Sequence, residues 1–404
     1  MAGPLTGVRV VDFTAMISGP LATMTLADQG ADVIKVEAPN GGDHARHVAT
    51  RRGGFSASFI NNNRNKRSVV LDLKQEAGLE AARRLIKDAD VLVQNFRPGV
   101  MQRIGLGEAA VRALNPAIVY VSITGFGFEG PYAQKPVFDP LIQAVSGLTT
   151  VQAGSDEERP RLVRTILPDK LTAIQASQAI TAALFARERS GEGQHVTLSM
   201  LDTLVSFLWS SDMTGHTFIG DEVETENAQS FIDLIYETAD GYISVAVVRD
   251  KEWAALARLT GNPEWIDDAR FNSAAQREIF KDDRLNVTQA ALYGKTTAEW
   301  MKLLEEADIP CAPVLTRREM IRHPQVIANG IVVETCHPHA GPLRQTRQPA
   351  RFSATPPEYR YGAPRLGENT RAVLSEIGYD AVEIAAMLAG RVAVQSDEDA
   401  EAAE

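Results

Sequence analysis

Cysteine is nearly missing: Cys311 and Cys336 are the only two in 404 residues. So small a supply excludes a disulfide framework and fits a reducing compartment. There is also no run of about 20 apolar residues of the kind that spans a bilayer. The opening Met1-Ala2-Gly3-Pro4-Leu5 has no basic stretch ahead of an apolar core. A cytoplasmic chain with no signal peptide and no membrane partner is expected. Positive charge is in deficit as well. The 41 Lys and Arg face 52 Asp and Glu, for a net charge of −11, which argues against nucleic acid, whose binding needs a basic footprint. Part of that acidity lies in residues 396–404, which read as a disordered, solvated tail. Finally, the sequence has neither a Gly-x-Ser-x-Gly elbow nor a P-loop, which removes two common hydrolase and kinase readings.

The remaining composition, 44% hydrophobic and 23% charged, is that of an ordinary globular protein. The length suits two or three domains. Strand and helix signals alternate through the first 125 residues. Val8 to Val11, Val33 to Val36, Ser68 to Leu71, Val91 to Val93 and Ile118 to Ile123 read as buried strands. Between them, Ser18 to Gln29, Glu76 to Lys87 and Gly107 to Leu114 carry helical spacing. Such alternation predicts parallel pairing with helical crossovers, a Rossmann-like open sheet of α/β class. A long helix is predicted over Asp169 to Arg187 and a strand over His195 to Leu198. A smaller α+β domain follows, with a strand from Tyr242 to Val248, helices near Glu252 to Thr260 and Thr297 to Glu306, and a strand from Gly330 to Thr335. The expected division is a large domain at 1–215, a small domain at 216–330 and a return to the large one at 331–404.

Several motifs have competing readings. Gly125-Phe126-Gly127-Phe128-Glu129-Gly130 matches the dinucleotide fingerprint, but Pro131 follows it where a helix should open. It is read as a close-approach loop. His337-Pro338-His339 beside Cys336 lacks a full metal-ligand spacing and is read as a loop, with no metal. The basic residues Arg51, Arg52, Arg64, Lys66, Arg67, Lys74, Arg97 and Arg103 fall near strand ends, where open parallel sheets bind ligands, and so suit a phosphate-bearing ligand. Asp169 stands where the long helix begins. Its plain reading is an N-cap; its alternative is a covalent nucleophile.

Taken in order, several segments resemble the class III CoA-transferase family, which includes formyl-CoA transferase and alpha-methylacyl-CoA racemase. They are Gly30-Ala31-Asp32-Val33-Ile34-Lys35-Val36-Glu37, Asn65-Lys66-Arg67-Ser68-Val69-Val70-Leu71-Asp72-Leu73-Lys74, Asn95-Phe96-Arg97-Pro98-Gly99, Arg187-Glu188-Arg189-Ser190-Gly191-Glu192-Gly193-Gln194 and Ile309-Pro310-Cys311-Ala312-Pro313-Val314. The resemblance implies an enzyme that moves coenzyme A from an acyl-CoA to a carboxylic acid, with CoA as part of the substrate and no tightly bound cofactor. It places the family's nucleophilic aspartate on Asp169. It places CoA contacts on Ile17, Ser18, Leu71, Asp72, Leu73, Lys74, Asn95, Phe96, Arg97 and Arg103. It further implies an interlocked homodimer with its active site between the large domain of one subunit and the small domain of the other. Two cationic CoA contacts of the formyl-CoA enzyme fall on Ala38 and Pro136, so phosphate binding there passes to Lys135 or Arg46. The histidine and glutamate of the racemases fall on Phe138 and Arg249, neither of which is a proton-abstracting base. The mobile glycine run of the formyl-CoA enzymes has no counterpart at Asp221 to Ser230, which disfavours oxalate and formate.

Overall fold

A computed structural model of the chain describes residues 3–220 and 232–396. Its main feature is a seven-stranded sheet. Six strands are parallel: β1 (Arg9–Asp12), β2 (Asp32–Glu37), β3 (Lys66–Leu71), β4 (Val91–Gln94), β5 (Val119–Thr124) and β6 (His195–Ser199). The seventh, β7 (Ala393–Val394), pairs antiparallel with β3. Their spatial order is β7-β3-β2-β1-β4-β5-β6. The chain therefore builds outward from β1 to β3 and then returns to the other side of β1. This is the doubly wound order, in which the direction of winding reverses between β1 and β4 and a crevice opens at their carboxyl ends.

Strand periodicity sends alternate residues to opposite faces. Val11, Ile34, Val69, Leu71 and Leu92 pack with α2 (Glu76–Lys87) and with the helices Thr370–Glu376 and Ala381–Ala389. Val10, Val33, Val91, Val93, Val119 and Val121 pack with α1 (Ser18–Asp28) and α3 (Leu167–Ser190). Alanines dominate where α1 meets α3: Ala22 and Ala27 on one helix, Ala173, Ala176 and Ala183 on the other.

Charged side chains penetrate the sheet as well. Asp12, Lys35 and Lys66 are wholly buried. The Lys66 ammonium lies 3.0 Å from Asp12 Oδ2 and donates to Pro20 O and Asn63 Oδ1. Lys35 Nζ lies 2.9 Å from Asp43 Oδ2. Burial alone would raise the Asp12 carboxyl, but the Lys66 and Lys35 ammoniums hold it well below the carboxylate range.

The chain divides into two compact units. One comprises residues 1–153, 159–219 and 330–404; the other comprises 154–158 and 220–329. In the second, a three-stranded antiparallel sheet of Ile235–Glu237, Tyr242–Val245 and Cys311–Pro313 packs with the helices Asp250–Leu259, Lys281–Leu292 and Thr297–Glu306 around Trp253, Phe271, Leu285 and Trp300. The strand from Tyr242 is three residues shorter than its apolar run suggests. The strand after Gly330, Val332–His337, pairs with Gly341–Thr346 as a hairpin outside the main sheet. The expected run without glycine at 221–230 lies outside the described residues.

Removing one partner of a buried ion pair strands the other charge, at a cost of about 3–5 kcal/mol. Lys66→Met should therefore lower the urea midpoint of the large unit's transition by that equivalent, and Asp12→Asn added to it should recover much of the loss.

Candidate active site

The turn between β1 and α1 lies at the switch point, and its shape follows from short-range steric demands. Met16 adopts φ = 70°, which an L-residue with a side chain avoids. Gly19 passes so close to Thr14 that a Cβ there would lie 2.3 Å from Thr14 Cβ, so only glycine fits. Asn95, directly after β4, spans the crevice floor: Ala15 N–H donates to its Oδ1 at 2.9 Å, and its Nδ2 donates to Ala15 O at 2.8 Å.

The turn delivers Ser18, the first residue of α1, to Asp169. The hydroxyl and backbone N–H of Ser18 face the Asp169 carboxylate and favour its ionised form. The N-cap reading of Asp169 is overturned. The helix begins at Leu167, two residues earlier, and its capping position, Ile166, makes no side-chain cap. Asp169 instead lies in the first turn, with its side chain facing Ser18 of a different helix.

A second carboxylate stands beside it. Asp139, buried at the start of the helix Asp139–Val145, accepts the Asp169 backbone N–H at 3.3 Å and Gln143 Nε2 at 2.6 Å. Gln143 Oε1 in turn accepts from Val163 N–H, which ties down the segment leading into α3. Asp169 is half-buried. Burial, with the Asp139 charge second, pushes its carboxyl up to about 6 against the pull of Ser18. The Asp139 carboxyl is also raised, chiefly by burial. Nothing in sequence spacing pointed to Asp139; Asp139-Pro140 reads only as a helix start.

The remaining predicted contacts separate into groups. Ile17 is half-buried beside Ser18. Leu73 and Phe96 are half-buried against one and the same core cluster, and the Phe96 N–H donates to Gln94 Oε1 at 2.9 Å. Lys74, Arg97 and Arg103 are exposed and have no ion-pair partner among the described residues. These side chains are open to solvent or only partly covered. Leu71 is not: its side chain is 1% exposed, inside the core, so only its backbone or its neighbours can serve. Asp72 shapes the turn into α2, accepting Lys74 N–H and Gln75 Nε2.

Part of the basic cluster is corrected. Arg64 pairs with Asp28, and Arg67 with Asp32 and Glu376. With Lys66 they belong to the opening of β3 and serve internal neutralisation. Arg46 is also committed, its guanidinium bonded through two nitrogens to Glu37 and lying 3.7 Å from the Phe59 ring centre. Lys135 remains exposed, over the Tyr132 ring. Phe138 is 67% exposed, and Arg249 pairs with Glu252, so neither offers a base. The Gly127 N–H is taken by Thr124 Oγ1. Helix does not resume after β5 until Asp139, so the glycine motif cradles no helix N-terminus. Both ring nitrogens of His337 are engaged by backbone, Nε2 with Ala363 O and Nδ1 with the N–H groups of His339 and Ala340.

Fold and site thus define a doubly wound enzyme with a carboxylate at the switch-point crevice. The chain belongs to CoA-transferase family III, whose model matches residues 5–370. It is similar to the succinate–glutarate CoA-transferase of Agrobacterium fabrum, at 34% identity over 93% of this chain and 96% of that one. It is also similar to the formyl-CoA:oxalate CoA-transferase of Shigella sonnei, at 32% identity over 96% and 99%. A solved CaiB/BaiF family protein from Brucella suis superposes with a TM-score of 0.82, at 29% identity, over 93% of this chain and 100% of that one. The chain is accordingly a CoA-transferase.

Because burial raises the Asp169 carboxyl, ionising it destabilises the fold. That stability is present below about pH 4 and lost as the pH rises through about 6. Asp169→Asn should melt several degrees above the native protein at pH 7.5 and level with it near pH 4. The expected gain is about 1–2 kcal/mol, discounted for partial exposure.

Proposed function

We propose that the protein exchanges CoA between two carboxylic acids through a covalent intermediate on Asp169. The observation that carries this reading is a half-buried carboxylate at the switch-point crevice, faced by Ser18 and raised by burial to about 6. A nucleophile needs to be ionised at working pH yet poorly solvated, and a carboxyl of this kind meets both conditions.

The steps balance as follows. An Asp169 oxygen attacks the donor's thioester carbon and the C–S bond breaks, giving a mixed anhydride and CoA thiolate. The thiolate attacks the Asp169 side of the anhydride and releases the donor acid, leaving CoA as a thioester on Asp169. The acceptor carboxylate attacks that thioester and expels the thiolate, which then takes the acceptor's acyl carbon and frees Asp169. Each negative tetrahedral centre at the Asp169 carbon forms within reach of the Ser18 N–H and hydroxyl, a ready oxyanion site. The crevice has to exclude water, because anhydride and thioester both hydrolyse.

Lys74, Arg97 and Arg103 supply cations for the CoA phosphates, while Leu73 and Phe96 give its apolar parts a surface. Relatives named for succinate and glutarate support small dicarboxylic acids as donor and acceptor. A homodimer completes the reading. Ile174 and Phe185 on α3, with Phe207 and Trp209 on the next helix, are 47–64% exposed, and apolar faces of this kind are covered when subunits associate.

Incubation with succinyl-CoA, quenching and peptide mass analysis should reveal a CoA- or acyl-sized, hydroxylamine-labile adduct on the peptide containing Asp169. Asp169→Ala should abolish both adduct and transfer; transfer that persisted in this variant would refute the assignment. Because attack needs the ionised form, the native rate should fall below pH 6 with a midpoint near that value.

A further inference from the structure

Three consecutive residues of the β1–α1 turn have their backbone held almost entirely by side chains from elsewhere. Thr14 N–H donates to Asp12 Oδ1 at 2.8 Å, and Thr14 O accepts from Lys35 Nζ at 2.6 Å. Ala15 gives its N–H and C=O to Asn95. Met16 N–H, at the positive-φ position, donates to Asp43 Oδ1 at 3.0 Å. Five backbone groups are thus bound by four side chains, two of which, Lys35 and Asp43, form a buried ion pair.

Asp43 is the hub of this arrangement. It is 4% exposed; the same Oδ1 also accepts Ala45 N–H at 2.9 Å, and its own N–H is bonded to Glu37 Oε2 at 3.0 Å. Glu37 is in turn fixed by Arg46 and Ser68. The carboxylate that holds Met16 is therefore itself immobilised from three sides. A turn needed only to join a strand to a helix has no use for so many anchors, because glycine at position 16 would adopt the same backbone unaided. What the anchored turn delivers two residues later is Ser18, the residue of α1 that faces Asp169.

We propose that Asp43 is a positioning residue for the nucleophile: by holding Met16 it fixes the placement of Ser18 on the Asp169 carboxylate. The inference rests on the reading of Asp169 as nucleophile. Asp43 touches neither Asp169 nor substrate; it acts through the turn.

The groups facing Asp169 are Ser18 from α1 and Asp139 from the helix before α3, while the neighbouring Lys170 ammonium is bonded to Thr165 Oγ1. Among these Ser18 alone favours the ionised carboxylate. Loosening the turn should therefore make Asp169 harder to ionise and impair the step that uses it.

The test measures transfer against pH for the native chain, Asp43→Ala and Asp169→Ala, with folding checked by circular dichroism. Asp43→Ala is expected to lower kcat about tenfold, to change KM for acyl-CoA less than about threefold, and to move the acidic limb of the pH–rate profile upward by half a unit or more. A folded Asp43→Ala with native kcat and an unmoved limb overturns the inference. If Asp43→Ala does not fold, Asp43→Glu keeps the charge opposite Lys35 and misplaces the acceptor by one methylene; the same two outcomes decide. Asp169→Ala separates the two claims. Its inactivity with unaffected Asp43 variants refutes positioning alone, and its full activity refutes the nucleophile on which positioning depends.

Discussion

The large unit depends on ionic contacts placed where a parallel sheet ordinarily holds only aliphatic side chains. Asp12, Lys35 and Lys66 come from three adjacent strands, and with Asp43 they leave no net charge in the interior. Desolvating four such groups is expensive, and each is retained only because its partner and further hydrogen bonds offset that loss. What the arrangement gives in return is directional. Aliphatic packing would seal β1 to β2 equally well, but it offers nothing to which the N–H and C=O groups of the following turn can bond. The turn at the crevice is thus shaped from within the core.

The same economy is seen at Asp169. A carboxylate in the first turn of a long helix would ordinarily stay fully ionised and compliant. Here a second carboxylate, Asp139, and Ser18 act on its charge in opposite senses. Asp139 also takes the backbone N–H of Asp169, so the two acids are joined mechanically as well as through their fields. The surface cations Lys74, Arg97 and Arg103, by contrast, do no internal work, and they stand out in a chain of net charge −11.

Much of this was visible in the residues. All six parallel strands could be placed from the residues, five of them from short, largely apolar runs such as Val91-Leu92-Val93, because strands buried on both faces are mostly apolar. The resemblance carried the family, and it singled out Asp169. The basic residues near strand ends were harder to sort. Arg64, Lys66 and Arg67 open β3 and Lys74 follows its end, yet a one-letter string does not show which of them has a carboxylate waiting inside. A signal was present: Lys35 inside Val33-Ile34-Lys35-Val36 and Asp12 closing the run Val10-Val11 are charges within buried strands, and such residues need partners. Asp43 and Asp139 gave no such signal, because both sit in loop-like or helix-opening contexts where aspartate is common. Their roles depend on contacts across 27 and 30 residues of chain.

The discontinuity of the large unit has a consequence for synthesis. By the time its first 219 residues have left the ribosome, β3 is paired on one side only. Its other side is completed by Asn369, bonded to Ser68, by Thr370, bonded to Val70 and Val394, and by β7 itself. These arrive only after the entire small unit has been translated. An open strand edge is a template for wrong pairing, so the growing chain carries an adhesive border for most of its time on the ribosome. The two-residue strand at its far end is the clasp that closes that border.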